Sequence, residues 1–116
     1  MKAKLSLQGE PRKLSPELET NLLRFGQEVL TNALRHAQAS QFDVLLVFES
    51  GEIRLNLRDN GCGFDPMKNH EGFGLQGMRE RAEYLGGQFS IQSSEGNGTV
   101  ISILLPLTIS SESERL

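Results

Sequence analysis

The 116-residue chain has no tryptophan, one tyrosine, one cysteine and two histidines. The lone thiol, Cys62, excludes an internal disulfide and a cysteine-based zinc site. His36 and His70 are too few for most metal enzymes. Positive charge is not in excess: 12 Lys and Arg stand against 15 Asp and Glu, a net charge of −3. That balance, with no Lys/Arg-rich run, argues against nucleic-acid binding. No apolar stretch approaches the roughly 20 residues of a membrane span. The opening MKAKLSLQGE lacks the apolar core of a signal peptide. What remains is an ordinary globular balance, 37% hydrophobic and 23% charged, enough for one self-sufficient core. A cytoplasmic domain with no nucleic-acid or membrane contact is expected.

Glycine is abundant, by contrast: 12 in all, concentrated between Gly61 and Gly87. Such a cluster inside a folded domain implies backbone that turns sharply or approaches something closely.

The pattern along the chain predicts β, long α, a β-hairpin, a Gly-rich loop, a second α and a second β-hairpin. Lys2 to Gln8 alternates as a short strand. Ser15 is a plausible N-cap, Pro16 takes the first helical position, and Glu17 and Glu19 suit the positive end of the helix dipole. This helix is predicted to run to about Ala37. Its apolar stripe is Leu22, Leu23, Gly26, Val29, Leu30, Ala33, Leu34 and Ala37. Asn21, Arg24, Glu28, Asn32, Arg35 and His36 fall opposite. Phe42 to Phe48 reads as a buried strand and Ser50-Gly51 as a hairpin turn. Glu52 to Asp59 alternates cleanly, with Ile53, Leu55 and Leu57 on one face. Asn60 to Phe73 is loop. Leu75 to Leu85 is a helix ended by Gly86-Gly87, followed by strands Gln88 to Ser93 and Thr99 to Leu105. The fold class is α/β (α+β): a two-layer sandwich of a mixed, mostly antiparallel sheet with helices on one face. One domain spans 1–107, and the Ser/Glu-rich tail 108–116 is expected to be disordered.

Gly72, Gly74 and Gly77 spell G-x-G-x-x-G, the fingerprint of dinucleotide binding when it follows a strand inside a βαβ unit. Here it follows the charged loop PMKNHE, so that reading is set aside. Glycines opening a helix still leave free N–H groups and a positive dipole end, which suit phosphate. A mobile surface loop would have the same glycines.

Three segments carry candidate chemistry. Glu28, Asn32 and His36 are spaced four apart on one helix side, with Arg35 beside them. Asn32 could give one oxygen to a hard cation, because Mg²⁺ keeps waters and binds substrate phosphates; a solvated polar face would look alike. Asp59 sits where an alternating strand runs into DNGCGF. It could present a carboxylate to a base or amine, or simply make an Asx turn. The third segment is EGFGLQGMRE, ahead of LGG. A weaker element, GNGT at 96–99, precedes the last strand and could be an ordinary hairpin turn.

Together these segments resemble the ATP-binding domain of sensor histidine kinases, in the superfamily that includes gyrase and the heat-shock chaperone ATPases. QEVLTNALRHA (27–37) looks like the N box, DNGCGF (59–64) like the G1 box, and GFGLQGMRER (72–81) like the G2 box. GTVISILLP (98–106) looks like the closing strand. The GLxGMRER…LGG form with a short lid is similar to the nitrate-sensor and thermosensor subfamily. The resemblance spans about residues 1–106 and implies the Bergerat ATP-binding fold.

The resemblance implies roles. Asp59 would accept a hydrogen bond from the adenine amino group, with Gly61 and Gly63 letting backbone approach the purine. Thr99 would help hold adenine, often through water. Asn32 would ligate Mg²⁺, with Arg35 and His36 near the phosphates. Gly72, Gly74, Leu75 and Gly77 would form the ATP lid. Glu28 matches a family acid that orients or deprotonates. Cys62 has no assigned role. The implied reaction moves the γ-phosphoryl of Mg·ATP to a histidine on a separate dimerisation domain, with a response regulator downstream. His70 in the lid loop and His36 in the N box are not credible acceptors. The chain is therefore expected to be an excised, monomeric catalytic domain that binds nucleotide but cannot complete the reaction alone. Its length also suits a different reading, an anti-sigma-factor-type protein of the same fold with serine kinase activity. A third, a nucleotide-free scaffold, is opposed by the intact Asn32, Asp59 and lid glycines.

Overall fold

The computed structural model describes residues 1–65 and 74–107. Five strands and two helices follow the expected order: β1 (Lys2–Gln8), α1 (Pro16–Asn32), β2 (Gln41–Glu49), β3 (Glu52–Asp59), α2 (Leu75–Tyr84), β4 (Gln88–Ser93) and β5 (Thr99–Pro106). The sheet order is β1-β2-β3-β5-β4. Only β1 and β2 run parallel; the β2/β3, β3/β5 and β4/β5 pairs are antiparallel. The mixed, mostly antiparallel two-layer sandwich is thus as expected. The assigned tail 108–116 lies outside the described residues.

The core forms because the strand alternation sends one set of side chains inward. On β3, Ile53, Leu55 and Leu57 are buried; on β5, Ile101, Ile103 and Leu105 are buried. The register pairs them rung by rung, Ile53 with Leu105, Leu55 with Ile103 and Leu57 with Ile101. The next rung on the same face is Asp59 with Thr99. The apolar ladder therefore ends in a polar one.

Helix α1 begins as its sequence dictates. Leu18 N–H donates to Ser15 Oγ at 3.1 Å, with Pro16 in the first turn and Glu17 and Glu19 at the positive end of the dipole. The residues it buries are Leu18, Asn21, Phe25 and Val29, and the line continues through Ala33 and Ala37. This corrects the expected stripe: Leu23 and Leu34 are exposed, whereas Phe25 and Asn21 are inside. The reason is the spacing. From Asn21 onward the buried line advances by four residues, which drifts around a 3.6-residue helix. The helix accommodates the drift by widening to a single π turn over Ala33–Ala37, closed by Gln38 in the left-handed region. Asn21 tolerates burial because its amide is hydrogen-bonded through both its nitrogen and its oxygen. Its Nδ2 donates to the Glu17 carbonyl at 2.8 Å, and its Oδ1 accepts from Arg81 Nε at 2.9 Å. That bond joins α1 to α2.

Helix α2 buries Met78 and Ala82. It ends in a Schellman arrangement: Gly86 N–H donates to Glu83 O at 3.0 Å and Gly87 N–H to Ala82 O at 2.8 Å. Gly86 has φ +83, which its missing Cβ permits. Arg79 then reaches β4, with its guanidinium 4.9 Å from the Phe89 ring centroid and Nη1 donating to Phe89 O.

The corrected helix face gives a direct test. Phe25→Ala should cost about 3–5 kcal/mol in urea unfolding, whereas Leu23→Ala should cost less than about 1 kcal/mol. Equal or reversed costs would mean the helix is rotated from the orientation described.

Candidate functional site

Asp59 and Thr99, each 5% exposed, form the floor of a cleft. Its walls are Val29, Asn32, His36 and Ala37 from α1 and its π turn, Gly63 and Phe64 from the loop after β3, Leu75 from α2, and Ile101 from β5. The enclosed space is about 20 Å³, room for one water and not for a purine ring. A larger ligand needs more than this innermost part of the cleft, whose walls include the loop after β3 and the start of α2.

Asp59 is positioned by strand pairing and fixed by backbone. Its Oδ1 accepts from Gly61 N–H at 2.8 Å. Burial pushes the carboxyl above its ordinary range, and N–H donation from Gly61 and Thr99 offsets part of that rise. A buried carboxylate facing an otherwise largely apolar cleft is poised to accept a hydrogen from a ligand. The neighbouring Asn60 secures the strand end. Its Oδ1 accepts from Ser40 and Gln41 N–H, both at 2.9 Å, and its Nδ2 donates to Ser40 Oγ.

The loop then packs back on the helix. Cys62 N–H donates to Ala37 O at 2.8 Å. A Cβ added to Gly61 would stand 2.5 Å from the Ala37 Cβ, so a side chain there would push the loop off the π turn. Gly63 has φ +65, and a Cβ on it would collide with the Ser94 carbonyl. The empty space at these two glycines is therefore taken by the protein's own backbone, a use the sequence did not disclose. Phe64 N–H closes the loop by donating to Ser93 Oγ at 2.9 Å.

The structure brings Asn32, His36, Asp59, Gly63, Leu75 and Thr99 to one cleft. Glu28 does not line it. That side chain lies in the adjoining groove with Arg24, Gly74, Gly77 and Arg81. A Cβ on Gly74, the left-handed N-cap of α2, would stand 2.5 Å from Glu28 Oε1. Arg35 is exposed and lines neither cavity. Gly72, His70 and the rest of 66–73 lie outside the described residues. Among the described residues, no group of three or more His, Cys, Asp or Glu could hold a metal ion. A cation here would depend on Asn32 and on oxygens that a ligand brings, a donor set that suits Mg²⁺ with phosphate. No helix among the described residues is long and apolar enough to cross a membrane. Sequence reasoning missed the wall residues Val29, Phe64 and Ile101, the tie made by Asn60, and Ser93. Only Ile101 carried a signal, being in phase with Thr99 on an alternating strand.

The family model described as histidine kinase-, DNA gyrase B-, and HSP90-like ATPase matches residues 17–109. The chain is 38% identical over 104 residues to the signal transduction histidine-protein kinase/phosphatase DegS of Bacillus subtilis (strain 168), covering 86% of this chain and 27% of that protein. It is 40% identical over 92 residues to the nitrate/nitrite sensor protein NarQ of Escherichia coli (strain K12), covering 78% of this chain and 16% of that protein. The chain thus spans about a quarter or less of the length of these curated relatives. Among solved structures, the histidine kinase domain from the Erythrobacter litoralis EL346 blue-light activated histidine kinase aligns with a TM-score of 0.66 at 27% identity. That alignment covers 91% of this chain and 55% of that one.

The raised Asp59 pKa has a definite sign. The folded state holds this proton more tightly than the unfolded chain, whose value is near 3.8. Stability from this group is full below that pH and is lost as pH rises through the folded value. In urea unfolding at steps from pH 4 to 7, wild type should therefore lose stability relative to Asp59→Asn as pH rises, then plateau. A difference constant with pH would contradict the desolvated carboxylate.

Proposed function

The chain belongs to the histidine kinase-, DNA gyrase B- and HSP90-like ATPase family, and from that membership we propose that it is the ATP-binding catalytic domain of a two-component sensor histidine kinase. It would transfer the γ-phosphoryl of Mg·ATP to a histidine on a dimerisation domain outside these residues, with a response regulator receiving the group afterwards. The observation that carries this reading is the buried Asp59–Thr99 pair flooring a largely apolar cleft that Asn32 and His36 also line.

In this reading each residue has a physical task. The Asp59 carboxylate accepts from the exocyclic amino group of adenine, and Thr99 supports the same edge. Val29, Phe64, Leu75 and Ile101 flank the ring and exclude water. Gly61 and Gly63 keep the loop tight behind it. Asn32 would hold Mg²⁺ through its side-chain oxygen, a donor set that suits a hard cation carried by phosphate. His36 and Arg35 add polar and positive groups on the phosphate side. Gly74, Leu75 and Gly77 would present the first amides of α2 to the anion; Gly72, the other expected lid glycine, lies outside the described residues. That helix has no side-chain cap at Gly74, so its N-terminal amides suit phosphate. Glu28, beside Gly74, is placed to orient an incoming imidazole. Mg·ATP supplies the phosphoryl group and the neutralising cation when bound; the chain's share is positioning and charge complementarity. On this reading, dependence on ATP would put the domain in the cytoplasm. The anti-sigma-factor-type alternative is not favoured, because the relatives are sensor kinases.

Thermal unfolding with ATP or ADP, with and without Mg²⁺, tests this. Ligand at 100 times its dissociation constant should stabilise the fold by about 2.7 kcal/mol. Asp59→Asn should abolish the shift, and Asn32→Ala should remove only the part that Mg²⁺ adds. Absence of any shift at millimolar nucleotide in wild type would overturn the proposal.

A further inference from the structure

Ser93, the last residue of β4, pairs with Thr99 across the β4/β5 ladder. Its hydroxyl sits at the meeting point of three segments. Phe64 N–H donates to it at 2.9 Å, it donates to the Gly98 carbonyl at 3.1 Å, and Thr99 Oγ1 lies 2.8 Å away. A hydroxyl has one proton to give and two lone pairs to offer. If Ser93 gives its proton to Gly98 O, all three contacts are satisfied only when Thr99 donates to Ser93. The reverse assignment forfeits the Gly98 bond. The Thr99 oxygen then turns lone pairs, and no hydrogen, toward the cleft. The other buried polar side chain there, Asp59, is also an acceptor while ionised.

We propose that Ser93 is a positioning residue for the base: its Oγ takes the Thr99 hydroxyl proton, so the buried floor offers acceptors only and selects a purine with an amino group over one with a carbonyl at the same position. This rests on the adenine-nucleotide reading and adds to it a source of base specificity outside the cleft wall. Ser93 itself does not line the cavity. It acts through Thr99, and through Phe64 it also holds the loop that forms one wall.

The experiment is calorimetric titration of ATP and of inosine triphosphate, which carries a carbonyl in place of the amino group, on wild type, Ser93→Ala and Ser93→Thr. Wild type should prefer ATP. In Ser93→Ala the Thr99 hydroxyl is free to rotate and donate, so the preference should fall about fivefold, the worth of one neutral hydrogen bond. Ser93→Thr keeps the hydroxyl and should keep the wild-type ratio. Equal weakening of both nucleotides in Ser93→Ala, an unchanged ratio, or a wild type that does not discriminate would overturn the proposal. Should Ser93→Ala unfold by circular dichroism, Ser93→Cys, a weak donor and acceptor of similar shape, takes its place; a wild-type ratio there overturns it. Wild type binding neither nucleotide would instead overturn the adenine reading, and this inference with it.

Discussion

The pairing register of β3 with β5 is the constraint on which the rest depends. Three apolar rungs, from Ile53–Leu105 to Leu57–Ile101, are followed by Asp59–Thr99 on the same face. Side chains alternate with period two, so a slip of one residue would expose the whole apolar set and turn the carboxylate to solvent. The hydrophobic ladder therefore specifies the position of the charge. It also offsets its cost: desolvating a carboxylate opposes folding, and the packed rungs, the helices above them and the two backbone donors hold it in place. A polar pair at the end of an apolar ladder is a local conflict, and such conflicts concentrate at functional sites.

The second half of the site depends on how α1 ends. A buried line stepping by four residues runs from Asn21 to Ala37, and the wide turn over Ala33–Ala37 lets the helix keep that line against the sheet. Asn32 lies immediately before the turn and His36 within it, and both reach the cleft. The turn also presents the Ala37 carbonyl to Cys62 N–H, so helix end and loop are one packed unit. On the other side, the Arg81–Asn21–Glu17 chain of hydrogen bonds couples α2 to α1. The lid helix is thereby held at one end while its N-terminus faces the cleft through Leu75.

Much of the fold was legible in the amino-acid pattern. Alternation gave β1 and β3, an apolar run gave β5, capping residues gave the start of α1, and the Gly86-Gly87 pair gave the end of α2. The buried face of α1 was misread because a four-residue step looks like noise to a 3.6-residue template, and because a buried Asn is unremarkable until its Arg partner, 60 residues away, is known. The candidate residues were legible segment by segment, but that they form one site was legible only through family resemblance. No periodicity says that Asp59 and Thr99 are neighbours, since the strand pairing that joins them spans a loop, a helix and a strand. Gly61 and Gly63 were expected to let backbone approach a purine; the structure adds a second demand on both, since the space a Cβ would take is occupied by Ala37 and Ser94. Ser93 carried no signal at all, because its role exists only where β4, β5 and the loop after β3 converge.

The central claim is that the nucleotide base enters between the Asp59–Thr99 floor and the end of α1. Amide chemical-shift mapping of the ¹⁵N-labelled chain during titration with Mg·ADP tests it most directly. The account predicts the largest shifts at Asn32, Gly61, Gly63, Leu75 and Thr99, with β1 and the outer face of α1 around Leu23 unmoved. Saturable shifts concentrated along β1 and that outer face, with Asp59 and Thr99 silent, would contradict it.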